Sequence, residues 1–105
     1  MLKQMLFDNT ENKWKGHLQG ELDAVQAPKL ITSVEAYLKE HPVDMELDCT
    51  QLVFVDSMGL GALVKARKMV EAANASMKLT NMKKRIYKLF VITGLERSFG
   101  LEVDQ

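Results

Sequence analysis

What this sequence holds little of narrows it quickly. Its 105 residues include one cysteine, Cys49, so an internal disulfide framework is excluded, and a lone thiol suits a reducing compartment. The two histidines, His17 and His41, stand at no ligand spacing from that cysteine or from each other, so no metal-site pattern is present. No apolar run approaches the roughly 20 residues needed to cross a bilayer. The opening stretch, MLKQMLFDNTENK, has neither the long apolar segment nor the small-residue cleavage site of a signal peptide. The expectation is a cytoplasmic protein without direct membrane binding. Neither charge is in excess, with 14 Lys and Arg against 14 Asp and Glu, and nothing in that balance draws the whole chain to nucleic acid. Repeats, low-complexity stretches and linkers are also missing, and the length suits one domain over residues 1–105.

What is there is unevenly placed. From Gly61 to Arg97 the cations are Lys65, Arg67, Lys68, Lys78, Lys83, Lys84, Arg85, Lys88 and Arg97, against Glu71 and Glu96, while residues 1–60 are net acidic. A solvated helix face accounts for such a run, and it also suits a partner-facing surface. Apolar spacing predicts the elements. Leu2 to Asp8 reads as an edge strand, and Asp8 to Asn12 as a polar turn. Trp14, Gly16, Leu18 and Gly20 alternate with Lys15, His17 and Gln19, which predicts a second strand in a hairpin with the first, with His17 facing solvent. GELDAVQAP reads as a loop ending at a proline suited to a first helical turn. Leu30, Ile31, Val34, Tyr37 and Leu38 predict an amphipathic helix from Pro28 to about Glu40, stopped at His41-Pro42. Met45 to Val55 contains a strand, with pairing expected mainly at Met45 to Cys49 and Cys49 as a small core residue. After a VDSMGLG turn, Leu60 to Asn74 keeps helical spacing. Met77 to Thr80 is a short strand and Lys83 to about Ile92 a third helix, capped at Gly94. Phe99 to Val103 offers a return to the sheet. The sum is an α/β fold: a mixed sheet with helices on one or both faces.

The stretch VFVDSMGLGALV, residues 53–64, carries the chemistry question. Gly59-Leu60-Gly61 lacks the third glycine of a dinucleotide fingerprint, since Val64 stands there, and too little sheet follows for a dinucleotide crevice. The lysine next to serine or threonine that a phosphate loop needs is missing. A nucleophile elbow needs glycine two residues before the serine, and Val55 occupies that position. Neither histidine lies near Ser57 in sequence as a general base. The residues therefore do not argue for an enzyme or for a cofactor. Asp56 or Ser57 is suited to capping the following helix, and the glycines to letting helix and strand approach closely. Ser57 has a further property. A phosphate on it would meet free amides and the positive end of the helix dipole, and would change the local charge by nearly two units beside Asp56.

Three pieces together resemble the STAS domains, and most closely the bacterial anti-sigma factor antagonists: Gly20-Glu21-Leu22-Asp23, Val55-Asp56-Ser57-Met58-Gly59-Leu60-Gly61, and Leu89-Phe90-Val91-Ile92-Thr93-Gly94-Leu95. The resemblance implies a single domain with a mixed four- to five-stranded sheet and helices packed mainly on one face. It implies that Ser57 is a phosphoacceptor and that Glu21, Asp23, Asp56, Ser57, Met58 and Gly59 form the partner-binding surface, which Asp23 helps to arrange. The implied partners are an anti-sigma factor of the GHKL serine-kinase type, sequestered while Ser57 is unphosphorylated so that a sigma factor is released, and a PPM-type serine phosphatase that reverses the mark. Met58 departs from the family pattern, which has a small residue after the phosphoacceptor. The alternative is a STAS subunit without the switch, in a signalling scaffold or beside a lipid or anion transporter; the Ser57 hydroxyl favours the first reading.

Overall fold

Seven elements follow one another along residues 2–95, the part of the chain that the computed structural model describes: β1 (Leu2–Asp8), β2 (Lys13–Leu22), α1 (Ala27–Glu40), β3 (Met45–Val55), α2 (Ser57–Ala72), β4 (Met77–Thr80) and α3 (Lys84–Thr93). The anticipated return of Phe99 to Val103 to the sheet lies outside the described residues. The sheet is four-stranded in the order β1-β2-β3-β4, with β1 antiparallel to β2 and β2, β3 and β4 mutually parallel. Parallel neighbours need crossovers, and α1 and α2 supply them.

Period-two alternation puts one side of the sheet in the core. Trp14, Leu18 and Leu22 on β2, Met45, Leu47 and Cys49 on β3, and Met77 and Leu79 on β4 are all buried. They meet Leu30 and Val34 of α1, Leu63, Ala66 and Val70 of α2, and Ile86 and Phe90 of α3 in one cluster. The opposite face carries Lys13, Lys15, His17, Glu46 and Asp48, none of them buried, so the helices lie on one side. Lys13 pairs there with Glu11 and Glu46, and Lys15 with Asp8 and Glu11. Exposed pairs of this kind add little stability. His17 is only half-exposed, with Nδ1 3.4 Å from Asp48 Oδ2, rather than simply solvent-facing. Burial works to raise the Asp48 pKa, but hydrogen bonds from Thr50 and Asn81 outweigh it and hold the carboxyl below its usual range.

Strand limits differ from those expected in two places. β2 runs on to Leu22, so Gly20 to Leu22 belong to the sheet and the loop is only residues 23–26. β3 pairs with β2 as far as Val55 opposite Leu22, not chiefly at Met45 to Cys49; that shorter span is what β4 covers. The β2–β3 register shifts twice, between His17 and Gln19 and again between Gly20 and Glu21, each time with an extra residue on β3. Each bulge turns two neighbours outward, Thr50 with Gln51 and Val53 with Phe54, while Leu52 and Val55 stay inside. The continuous apolar run Leu52 to Val55 is therefore half exposed. Past the end of β4, the free edge of β3 is met by side chains from the start of α3: Lys83 Nζ donates to the Thr50 carbonyl and Arg85 Nη2 to that of Val53, at 2.8 Å for the latter.

The helix ends explain themselves. Pro28 opens α1, and His41 closes it, its N–H donating to the Tyr37 carbonyl. That end is tied to β2 because Trp14 Nε1 donates to the His41 carbonyl at 3.1 Å, while the His41 ring stacks on Phe7 at 3.8 Å. Gly94, at φ +75°, ends α3 with Gly94 N–H on the Val91 carbonyl and Leu95 N–H on that of Phe90, the Schellman pattern.

Cys49 is fully buried, and that burial, aided by the Asp48 charge, pushes its thiol up to about 12. Native protein should therefore be inert to a thiol reagent at pH 8 and become reactive only on unfolding. A raised folded pKa favours the folded state below the ordinary thiol value of 9.0. Stability should accordingly fall as the pH rises from there toward 12. Urea titrations across that range should show a shallower alkaline loss for Cys49→Ala than for the wild type.

Candidate functional site

At the carboxyl ends of β2 and β3 the chain makes two tight exits, into α1 and into α2. Both are organised by an aspartate. Asp23 Oδ1 accepts from the amides of Val25 at 3.1 Å and Gln26 at 3.0 Å, and its carbonyl accepts from Ala27 N–H, which sets the turn that launches α1. Asp56 is the N-cap of α2: it keeps extended backbone at ψ −176° and its Oδ1 accepts from Gly59 N–H at 2.8 Å. The stretch expected as a turn is thus helical from Ser57 onward.

The two exits are locked together through the Leu22 carbonyl. It accepts the Asp56 N–H at 3.3 Å, and it lies against Gly59 so closely that a Cβ on that glycine would come within 1.9 Å of the oxygen. Gly59 is buried, so its part is to seat the helix on β2 and not to offer a surface to a partner, the role expected of it. Gly61 differs. Nothing lies within 4 Å of where its Cβ would point, and the residue is exposed.

With Asp56 serving as cap, the Ser57 hydroxyl is left over. Ser57 is exposed at the first helical position and makes no side-chain hydrogen bond among the described residues. Met58 is 59% exposed, so it does not pack into the fold. Ser57, Gly61 and Lys65 stand four residues apart and share a helix face. With Met58 and Ala62 they line a groove of about 250 Å³ whose other wall is Ala27, Pro28 and Ile31 of α1. Glu21 and Asp23 line a neighbouring cleft of about 470 Å³ with Gln19, Gly20, Gln26 and Val53. Of the expected site residues, Glu21 and Asp23 line one hollow and Ser57 and Met58 the other, while Asp56 and Gly59 line neither. Sequence reasoning missed the α1 wall, Gly61 and Lys65; the four-residue spacing of Ser57, Gly61 and Lys65 was the available signal. A larger cavity, about 910 Å³, opens on the polar sheet face among Leu6, Lys15, His17 and Asp48 and shares no residue with either hollow. Among the described residues no group of histidine, cysteine or carboxylates is placed to hold a metal ion.

A family model described as STAS domain matches residues 16–104. The chain is 36% identical over 86 residues to the anti-sigma-B factor antagonist of Bacillus subtilis, covering 82% of this chain and 78% of that protein. It is 36% identical over 76 residues to the anti-sigma-B factor antagonist of Listeria monocytogenes, covering 72% and 67%. The fold superposes with a TM-score of 0.73 on the phosphorylated form of the Bacillus cell fate determinant SpoIIAA, at 20% identity over 98% of this chain and 91% of that one.

Two substitutions test the assignment of structural roles. Asp56→Ala removes the cap and should lower unfolding free energy by ~1 kcal/mol in urea titrations, with Asp56→Asn retaining most of it. Gly59→Ala forces the Leu22 carbonyl aside and should cost about 2 kcal/mol or more despite the better helix propensity of alanine.

Proposed function

The chain belongs to the STAS domain family, and from that premise we propose that it is an anti-sigma factor antagonist whose binding is switched by phosphorylation at Ser57. The observation that carries the switch is the division of labour at the start of α2. Asp56 already satisfies the cap, so the exposed Ser57 hydroxyl has no structural duty among the described residues and is open to modification.

The chemistry follows from the position. A kinase would transfer the γ-phosphoryl group of ATP to Ser57 Oγ, breaking the bond to the β-phosphate oxygen, releasing ADP and taking up the hydroxyl proton on a base of its own. The product sits at the amino end of α2, where the helix dipole and the first amides favour negative charge, so the fold tolerates it. The outer surface changes far more. Nearly two negative charges enter between Asp56 and Met58 in the chain, at a position that was neutral. A partner fitted to the neutral surface loses both steric fit and electrostatic match.

In this reading the unphosphorylated protein binds an anti-sigma factor of the GHKL serine-kinase type and so frees a sigma factor. Phosphorylation by that kinase ends the binding, and a PPM-type serine phosphatase restores it. The protein is a binding partner and phosphoacceptor in the cytoplasm, not itself the catalyst, and uses no cofactor. Glu21, Asp23, Asp56, Ser57 and Met58 supply the surface.

Intact-mass analysis of protein isolated from its native host should find one added phosphate on the wild type and none on Ser57→Ala. Because Asp56 is the cap, Ser57→Ala should unfold within about 0.5 kcal/mol of the wild type. It should retain an ATP-dependent serine kinase on an affinity column through washing with ATP, whereas wild type releases it. Ser57→Asp, folded, should bind that kinase about tenfold or more weakly. Absence of phosphate under all growth conditions would sink the switch and favour a scaffold or transporter-associated subunit.

A further inference from the structure

Gly61 stands inside α2, where glycine is the poorest residue after proline, yet nothing in the fold requires it. Its direction of side-chain growth is empty, whereas Gly59, two residues earlier, is held by contact with Leu22. A helix-weakening glycine on an exposed face is explained when something outside the fold approaches the bare backbone. Around it the groove is apolar: Ala27, Pro28 and Ile31 on one wall, Met58 and Ala62 on the other. Lys65 closes the end, with no carboxylate partner among the described residues. Met58 stands over the groove 59% exposed, a large apolar side chain in water beside the candidate phosphoacceptor.

We infer that Met58 and Gly61 are the specificity-determining pair of this antagonist: an apolar side chain of the anti-sigma factor seats on the bare backbone at Gly61 between Met58 and Ile31, followed by a carboxylate that meets Lys65. The inference rests on the partner-switching reading above and names the contact through which that reading works. The size of the groove, about 250 Å³, suits one inserted side chain rather than a whole helix. Its charge suits an acidic flank, since the one ionisable side chain lining it is a lysine. Glu21 and Asp23 line a separate hollow and not this groove, so its charge is set by Lys65. Met58 also places a large apolar side chain at the groove, which discriminates against partners that do not accommodate its bulk.

The probes are the kinase retained by Ser57→Ala and, for comparison, the anti-sigma-B factor of Bacillus subtilis, with affinities measured by calorimetry on the full chain. Gly61→Ala should raise the melting temperature by about 4 °C, because the methyl group meets nothing and improves the helix, while weakening the host kinase about tenfold or more. Met58→Ala should leave the melting temperature unchanged, weaken the host kinase about tenfold and narrow its advantage over the Bacillus factor; Met58→Leu should restore both. Lys65→Gln should lower affinity at low salt and flatten its salt dependence. Wild type that binds the kinase tightly, with Gly61→Ala and Met58→Ala within twofold of it, would overturn the inference and leave the switch standing. Wild type and Ser57→Ala that bind no anti-sigma factor would bring down the switch reading and this inference together. Sedimentation as a dimer that Gly61→Ala dissociates would assign the groove to a second copy and equally overturn the inference.

Discussion

The arrangement of the site depends on one peptide carbonyl, that of Leu22. It takes the Asp56 amide as a hydrogen bond and lies in van der Waals range of the Gly59 backbone, so the first turn of α2 is laid directly on the end of β2. Parallel pairing brings Leu22 opposite Val55, and the two strands therefore end side by side. Their exits into α1 and α2 begin at the same height, which is why residues distant in sequence, Pro28 and Ile31 with Ser57 and Lys65, come to line one groove. A side chain at position 59 would lift the helix and separate those walls. The groove is in that sense a consequence of a backbone contact beneath it.

Within the motif the labour is divided by exposure. Asp56, half-buried, holds the helix end; Gly59, buried, holds the helix to the sheet; Ser57 and Met58, exposed, hold nothing in place. Separation of this kind leaves the Ser57 hydroxyl outside the set of groups that the fold relies on. It also places that hydroxyl at the amino end of a helix, where the dipole favours negative charge.

Local pattern carried far in this chain. β1 and β4 end where alternation and turn residues put them, α1 and α3 lie within one residue of their expected limits, and Gly94 caps as its type suggests. Failures occurred where long-range packing outweighed local preference. Ser57 to Gly61 reads as a turn because serine and two glycines are weak helix formers, yet an aspartate cap and docking onto β2 make it helical. Pairing of β3 was expected mainly at Met45 to Cys49, yet the strand pairs with β2 as far as Val55, and two bulges there rotate Val53 and Phe54 outward. A bulge is a property of two strands in register, and one strand's composition does not contain it.

By itself, then, the order of residues determined the alternation that builds a mixed sheet, the helical faces that cover it, and the adjacency of a carboxylate and a hydroxyl at a strand-to-helix junction. These are local matters, decided by side-chain period and capping chemistry within a few residues. Tertiary structure alone decided which of Asp56 and Ser57 caps α2 and which is left free, and which of two glycines is indispensable to the fold. The physical reason is excluded volume between parts of the chain that sequence keeps apart: Gly59 meets the Leu22 carbonyl and Gly61 meets open space, a difference invisible in the letters G-L-G.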